Sequence, residues 1–150
     1  MTAFVTAGAG FLLAVLWFDL MFDVQAARHR DRDLPESVLA STAAYYRRVT
    51  SAARPMNRLV AAVMVGTIAA IILQLVRDDA PRWSASVSLA LTAGAISLAA
   101  LHTVPSAMRL GTRSDTISDQ SRLARSILRD HLLCITAVAA VLFVQLTFAR

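Results

Sequence analysis

Four apolar stretches, at about residues 3–24, 57–76, 84–104 and 131–149, constrain this chain more than any other feature. Each is long enough to cross a bilayer, which takes about 20 apolar residues at about 1.5 Å of rise per residue. In hydrocarbon every backbone N–H and C=O must find its partner within the protein, and a lone span does so only as a helix. The expectation is an all-α integral membrane protein. Four alternating transmembrane helices make an up-down bundle, and residues 1–150 read as one such domain. Composition agrees, since 57% of the residues are apolar against roughly 45–50% in a soluble domain. The first stretch has no charged flank ahead of it and no small-residue cleavage site. It is therefore expected to be a retained helix and not a signal peptide.

All 15 basic residues are arginine, and the net charge is +5. Such a balance could indicate nucleic acid, but the arginines lie between the apolar runs, where membrane topology places them. The expected partner is the bilayer, not nucleic acid. Segment 25–56 holds six arginines (Arg28, Arg30, Arg32, Arg47, Arg48, Arg54), and segment 105–130 holds five (Arg109, Arg113, Arg122, Arg125, Arg129). Arg58 lies just inside the second span. The short turn "RDDAPRW" at 77–83 holds two, beside two aspartates. Positive charge marks the cytoplasmic side. Both termini are then outside, in a multi-pass protein of the bacterial cytoplasmic (inner) membrane, with Trp83 at the outer interface. The single cysteine, Cys134, excludes an intrachain disulfide and a multi-cysteine metal framework.

The long connections carry helix signals. In "DLPESVLASTAAYYRRV", Asp33, Pro35 and Glu36 resemble a helix start with capping-box spacing, and Pro55 ends the run. An amphipathic helix is expected at 34–53, on the membrane surface or over the bundle mouth. In the second connection Ser118 is the expected cap of a helix that passes Leu123 and Ile127 into the fourth span. His29, among arginines, is expected to be solvated. Tyr45 and Tyr46 could stack on an aromatic ligand, although two tyrosines at an interface are ordinary.

The polar residues inside the spans follow the inward seam of a bundle, spaced alternately three and four residues. The first span reads Val5, Gly8, Leu12, Val15, Asp19, Phe22, with Asp23 adjacent. The second reads Asn57, Val60, Met64, Thr67, Ile71, Gln74. The third reads Ser88, Leu91, Ala95, Leu98, His102, and the fourth His131, Cys134, Val138, Val141, Gln145, Phe148. "TAGAG" at 6–10 and "TAGA" at 92–95 allow close helix approach, within the chain or between copies. Alternating direction brings Asp19, Asp23, Asn57, Arg58, His102, Thr103, Arg129 and His131 to one end. A carboxylate in hydrocarbon costs about 2.5–3.5 kcal/mol on insertion scales, so the aspartates are expected to face this polar mouth.

Three readings of the mouth stand side by side. In one it is an electrostatic clasp, with Asp23 paired to Arg58 or Arg129. In another it is a transition-metal site (iron, manganese or zinc) built from Asp19, Asp23, His102 and His131, although no Glu-x-x-His pair occurs. In the third it is a substrate or proton site with Asp19 titrating. Beyond the mouth the seam is mostly apolar, which disfavours a channel or carrier. No phosphate loop, zincin motif or nucleophile elbow is present, and no catalytic residue is named.

"HTVPSAMRL" and "RSILRDHLLC", with Val104–Pro105 and Arg129–His131, resemble the small four-helix membrane proteins grouped with anthrone-oxygenase-like proteins, a largely uncharacterised family. The aspartates of "WFDLMFD" are not part of that pattern. The resemblance implies a lipophilic aromatic substrate and a membrane oxidoreductase. The residues themselves point first to a membrane protein whose mouth binds a small ligand or stabilises a membrane complex, homo-oligomeric or with another protein. The topology predicts that an impermeant thiol reagent, applied to intact cells, labels Ala80→Cys and not Ser118→Cys. The reverse pattern would invert the orientation.

Overall fold

The computed structural model describes residues 1–28 and 32–148; His29 and Arg30, named above, and the last position of the 131–149 stretch lie outside the described residues. Among the described residues all regular structure is helical. These described residues form five helices: α1 (Thr2–Ala27), α2 (Glu36–Arg47), α3 (Arg54–Arg77), α4 (Arg82–Thr112) and α5 (Ile117–Phe148). Every one but α2 is long and apolar enough to span a membrane. Only 17–33% of each apolar window is buried inside the protein. The rest, including Trp17, Phe18, Val65 and Phe143, needs lipid around it.

The four long helices form a ring in which α1 packs on α3 and α5, and α4 packs on the same two. Between them lies an apolar centre of Val5, Ala9, Leu12, Ala70, Ile71, Val138 and Val141. These are largely the seam positions expected from spacing. At the end that holds both the first residues of α1 and the last turns of α5, a polar layer closes the bundle. The Gln74 amide donates to Gln145 Oε1 (2.9 Å) and the Gln145 amide donates back (3.2 Å). Ser88 and Thr2 complete the layer at 2.9 and 3.2 Å. Each buried amide thus has a partner, as hydrocarbon surroundings require.

At the opposite end, α4 and α5 outrun the membrane. Thirty-two residues of α5 span roughly 48 Å, against about 30 Å of hydrocarbon. The protruding turns meet α2 in a second core of Ala26, Leu34, Leu39, Ala43, Tyr46, Ala107, Leu110, Ala124 and Ile127. Segment 105–130, read as a polar connection, is therefore almost wholly helix, with only residues 113–116 between α4 and α5.

The expected helix at 34–53 is α-helical from Glu36 to Arg47 and continues as a wide π-turn, Arg48–Ala52. Its expected capping box does not form, because Glu36 pairs with Arg113 instead (2.5 Å). Nor does Ser118 cap α5. Thr116 does, accepting the Asp119 N–H (3.2 Å) while its hydroxyl donates to the Asp119 carboxylate (2.9 Å). A second π-turn, Ala99–Thr103, interrupts α4 just before Pro105. Pro105 has no N–H for the Leu101 carbonyl and crowds it, and a widened turn relieves that conflict. Ala80 is buried beneath its turn and Asp79 is exposed, so Asp79→Cys is the better position in this turn for thiol labelling.

Of the two glycine motifs, only Gly8 sits at a close helix contact. A Cβ there would lie 2.1 Å from Thr67 Oγ1, whereas one at Gly10 or Gly94 would meet nothing within 4 Å. Gly8→Ala is expected to lower stability in detergent by about 1–3 kcal/mol through overpacking, and Gly94→Ala to leave it unchanged or slightly raised. Equal thermal unfolding of the two variants would refute the close α1–α3 contact.

Candidate functional site

The last turns of α1 carry Asp19 and Asp23, four residues apart and on one face. The face of α2 that packs on the bundle carries Tyr45 and Tyr46, and the fourth span contributes His131. All five side chains meet. Asp23 is buried, 1% exposed. Its Oδ1 accepts the Tyr46 hydroxyl and its Oδ2 faces His131 Nδ1, both at 2.5 Å. Asp19 Oδ1 accepts the Tyr45 hydroxyl at 2.5 Å, and its Oδ2 lies 4.0 Å from His131 Nε2. One imidazole thus stands between two carboxylates, and each carboxylate is bound by one phenol. The Tyr45 ring stacks on Phe22 at 4.0 Å and meets Tyr46 edge-on at 5.2 Å. The tyrosines are therefore occupied by their own neighbours and not arranged as a platform for an aromatic ligand.

Burial pushes both phenols of α2 up, and the adjacent carboxylates push them further. They remain donors at physiological pH. A raised folded value means that this stabilisation is complete below the ordinary tyrosine value of 10.0. It is lost as pH rises beyond that, where the unfolded chain ionises first.

A second cluster lies on the neighbouring helix pair. The π-turn of α4 presents His102 and Thr103 to Asp130, which is also 1% exposed. Asp130 Oδ2 contacts His102 Nδ1 at 2.5 Å and accepts the Thr103 hydroxyl at 3.1 Å. His102 is half-exposed and lines an open cleft of about 600 Å3 between α4 and the start of α5. Ser106, Arg122, Arg125, Ser126 and Arg129 also line it.

The expected mouth is thus divided. Asp19, Asp23 and His131 come together, while His102 joins Asp130 and Arg129 lines the cleft. Asn57 and Arg58 do not join either cluster. Both are exposed; the Asn57 amide donates to the Val49 carbonyl (2.8 Å), and Arg58 pairs with neither aspartate. The clasp has a histidine and two tyrosines where Arg58 or Arg129 was expected. A guanidinium at the membrane surface keeps its hydration, whereas imidazole and phenol enter a dry core at lower cost. The four-residue metal set is not assembled. Among the described residues, no group of three or more His, Cys, Asp or Glu side chains is disposed to hold an ion. Cys134 is a buried core residue whose thiol points at the Ala95 carbonyl (3.6 Å).

Tyr45, Tyr46 and Asp130, with the cleft residues Ser106, Arg122, Arg125 and Ser126, are site residues that spacing did not bring to the mouth. Asp130 carried a usable signal, since a carboxylate between "SILR" and "HLLC" needs a partner for the same reason as Asp19. Compared with known proteins, the chain matches no family model, and no curated protein or solved structure matches it significantly.

Removing the central carboxylate tests the clasp. Asp23→Ala leaves the Tyr46 hydroxyl and His131 Nδ1 without their buried acceptor, and is expected to cost about 3–5 kcal/mol. Tyr45→Phe, which removes one bond, is expected to cost about 1 kcal/mol. Thermal unfolding in detergent that ranks Tyr45→Phe as the more damaging change would contradict this hierarchy.

Proposed function

We propose that this membrane protein binds a small ligand at its arginine-bearing mouth, and that the Asp23-centred clasp is the latch that holds the mouth in shape. The cleft beside the latch carries the reading. Its volume falls within the roughly 300–1,000 Å3 usual for small-molecule sites. It concentrates an imidazole, two hydroxyls and three guanidinium groups. The latch itself suits a structural role, because both carboxylates and Nδ1 of His131 are already engaged. In this reading the mouth faces the cytoplasm and both termini lie outside, in accordance with the arginine distribution. The oxidoreductase reading rests on the sequence resemblance alone.

Mass spectrometry of the protein, extracted from membranes in mild non-ionic detergent, tests the proposal. The parent is expected to retain a small molecule that Arg129→Ala and Arg122→Ala lose. Both side chains are exposed, so stability should change by no more than about 0.5 kcal/mol. A parent that retains nothing from a membrane extract, and gains no stability from one, would leave the mouth as a clasp only.

A further inference from the structure

We infer that the cleft between α4 and α5 is a site for a phosphate group. The inference rests on the binding proposed for the mouth and names the chemistry of what is bound there. Arg122, Arg125 and Arg129 are spaced three and four residues apart, so they project from one side of α5. His102 and Ser106, four apart, face them from α4. Among the described residues no carboxylate lines the cleft. Asp130 of α5 is buried and engages His102 at Nδ1. Any bond from His102 to a ligand is therefore made through Nε2. Arg122 is partly engaged by Asp119 at 2.6 Å, on the exposed outer edge. Arg125 donates to the Arg32 carbonyl at 2.9 Å. Arg129 has no hydrogen bond or ion pair among the described residues and is exposed.

Arg129, unpaired among the described residues, leaves its forked N–H donors for an anion, and Arg122 and Arg125 beside it add positive charge that a shared anion would offset. A tetrahedral phosphate offers oxygens in several directions, each able to take a forked pair of N–H donors. A planar carboxylate has only two oxygens, in one plane. Ser106 and Ser126 add neutral donors suited to the remaining oxygens.

The surroundings point to an amphiphile as the carrier. One turn deeper than Arg129 on the same face, Leu132 and Leu133 are exposed, and Leu101 beside His102 is 80% exposed. A phosphate in the cleft would thus sit directly above an outward apolar strip. Basic pockets between helices at the membrane surface hold anionic lipid headgroups in this manner. A free phosphate would use the same donors without the strip.

The test uses the whole protein in a phosphate-free maltoside detergent, with thermal unfolding and native mass spectrometry as readouts. The probes are phosphatidylglycerol, phosphatidylcholine and inorganic phosphate, with chloride at matched ionic strength as the control. Stabilisation by phosphatidylglycerol but not by phosphatidylcholine or chloride supports the site with a lipid source. Stabilisation by inorganic phosphate at least equal to that by phosphatidylglycerol supports it with a soluble source. Arg129→Gln is expected to weaken either probe by about fivefold or more. Arg129→Lys, which keeps the charge and loses the fork, should lie between it and the parent. Phosphatidylcholine and phosphatidylglycerol binding alike with no effect of phosphate, or unchanged affinity in Arg129→Gln, would overturn the assignment. A retained ligand that depends on Arg129 but carries no phosphate would overturn the phosphate class and leave binding at the mouth intact. The absence of any bound species or probe effect in the parent would remove both.

Discussion

A carboxylate that cannot remain alone organises this protein. Asp23 is almost fully enclosed, and enclosure of an unpaired charge costs far more than a helix end can supply. It holds one partner from each of two other elements, Tyr46 of α2 and His131 of α5. Three segments distant in sequence are thereby brought to one point. The second core, in which α2 packs on the ends of α1 and α4 and the start of α5, forms around that point. Asp19 and Tyr45 repeat the same bond one turn away.

The two ends of the bundle solve the polar problem differently. At one end the layer of Gln74, Gln145, Ser88 and Thr2 is neutral. Its members satisfy each other and need no charge, which suits a layer close to lipid. At the other end charge is admitted, because α4 and α5 leave the hydrocarbon and an added helix shields the acids from water. The arginine-bearing end is also where basic side chains can meet lipid headgroups at the membrane surface. The latch and the cleft lie back to back there. Adjacent residues serve the two, since Asp130 anchors His102 on the cleft side and His131 joins the latch. The rigidity of α5 between these neighbours means that the shape of the cleft is set by the packing of the latch.

The two π-turns mark where the chain departs from simple spans. Each precedes a proline, Pro55 or Pro105. The turn in α4 places His102 and Thr103 on the same carboxylate, as consecutive residues of a regular helix would not readily be. Gly111 makes a related accommodation, since a Cβ there would come within 3.1 Å of the Arg47 backbone. A side chain there would require the end of α2 to shift by a few tenths of an ångström away from α4.

The sequence by itself determined the four spans and their alternation, because hydrocarbon leaves a chain no other way to satisfy about 20 successive peptide groups. It also determined that Asp19, Asp23 and His131 share an end, since that follows from direction alone. The inward seam was legible at Thr67, Ile71, Gln74, Cys134, Val138 and Gln145, because lipid penalises a polar residue turned outward. Only the tertiary structure decided the partners. Asn57 and Arg58 satisfy the same end-of-span argument as Asp23, yet they stay at the surface, where long or hydrated side chains lose least. Tyr46 became the acceptor's partner because of where α2 docks, and docking depends on Leu39 and Ala43 of α2 fitting against α4 and α5 and on Arg47 fitting over Gly111 of α4. The same spacing that makes an amphipathic helix legible does not say which surface its apolar face will cover. Packing shape, which no one-dimensional period encodes, settled that choice.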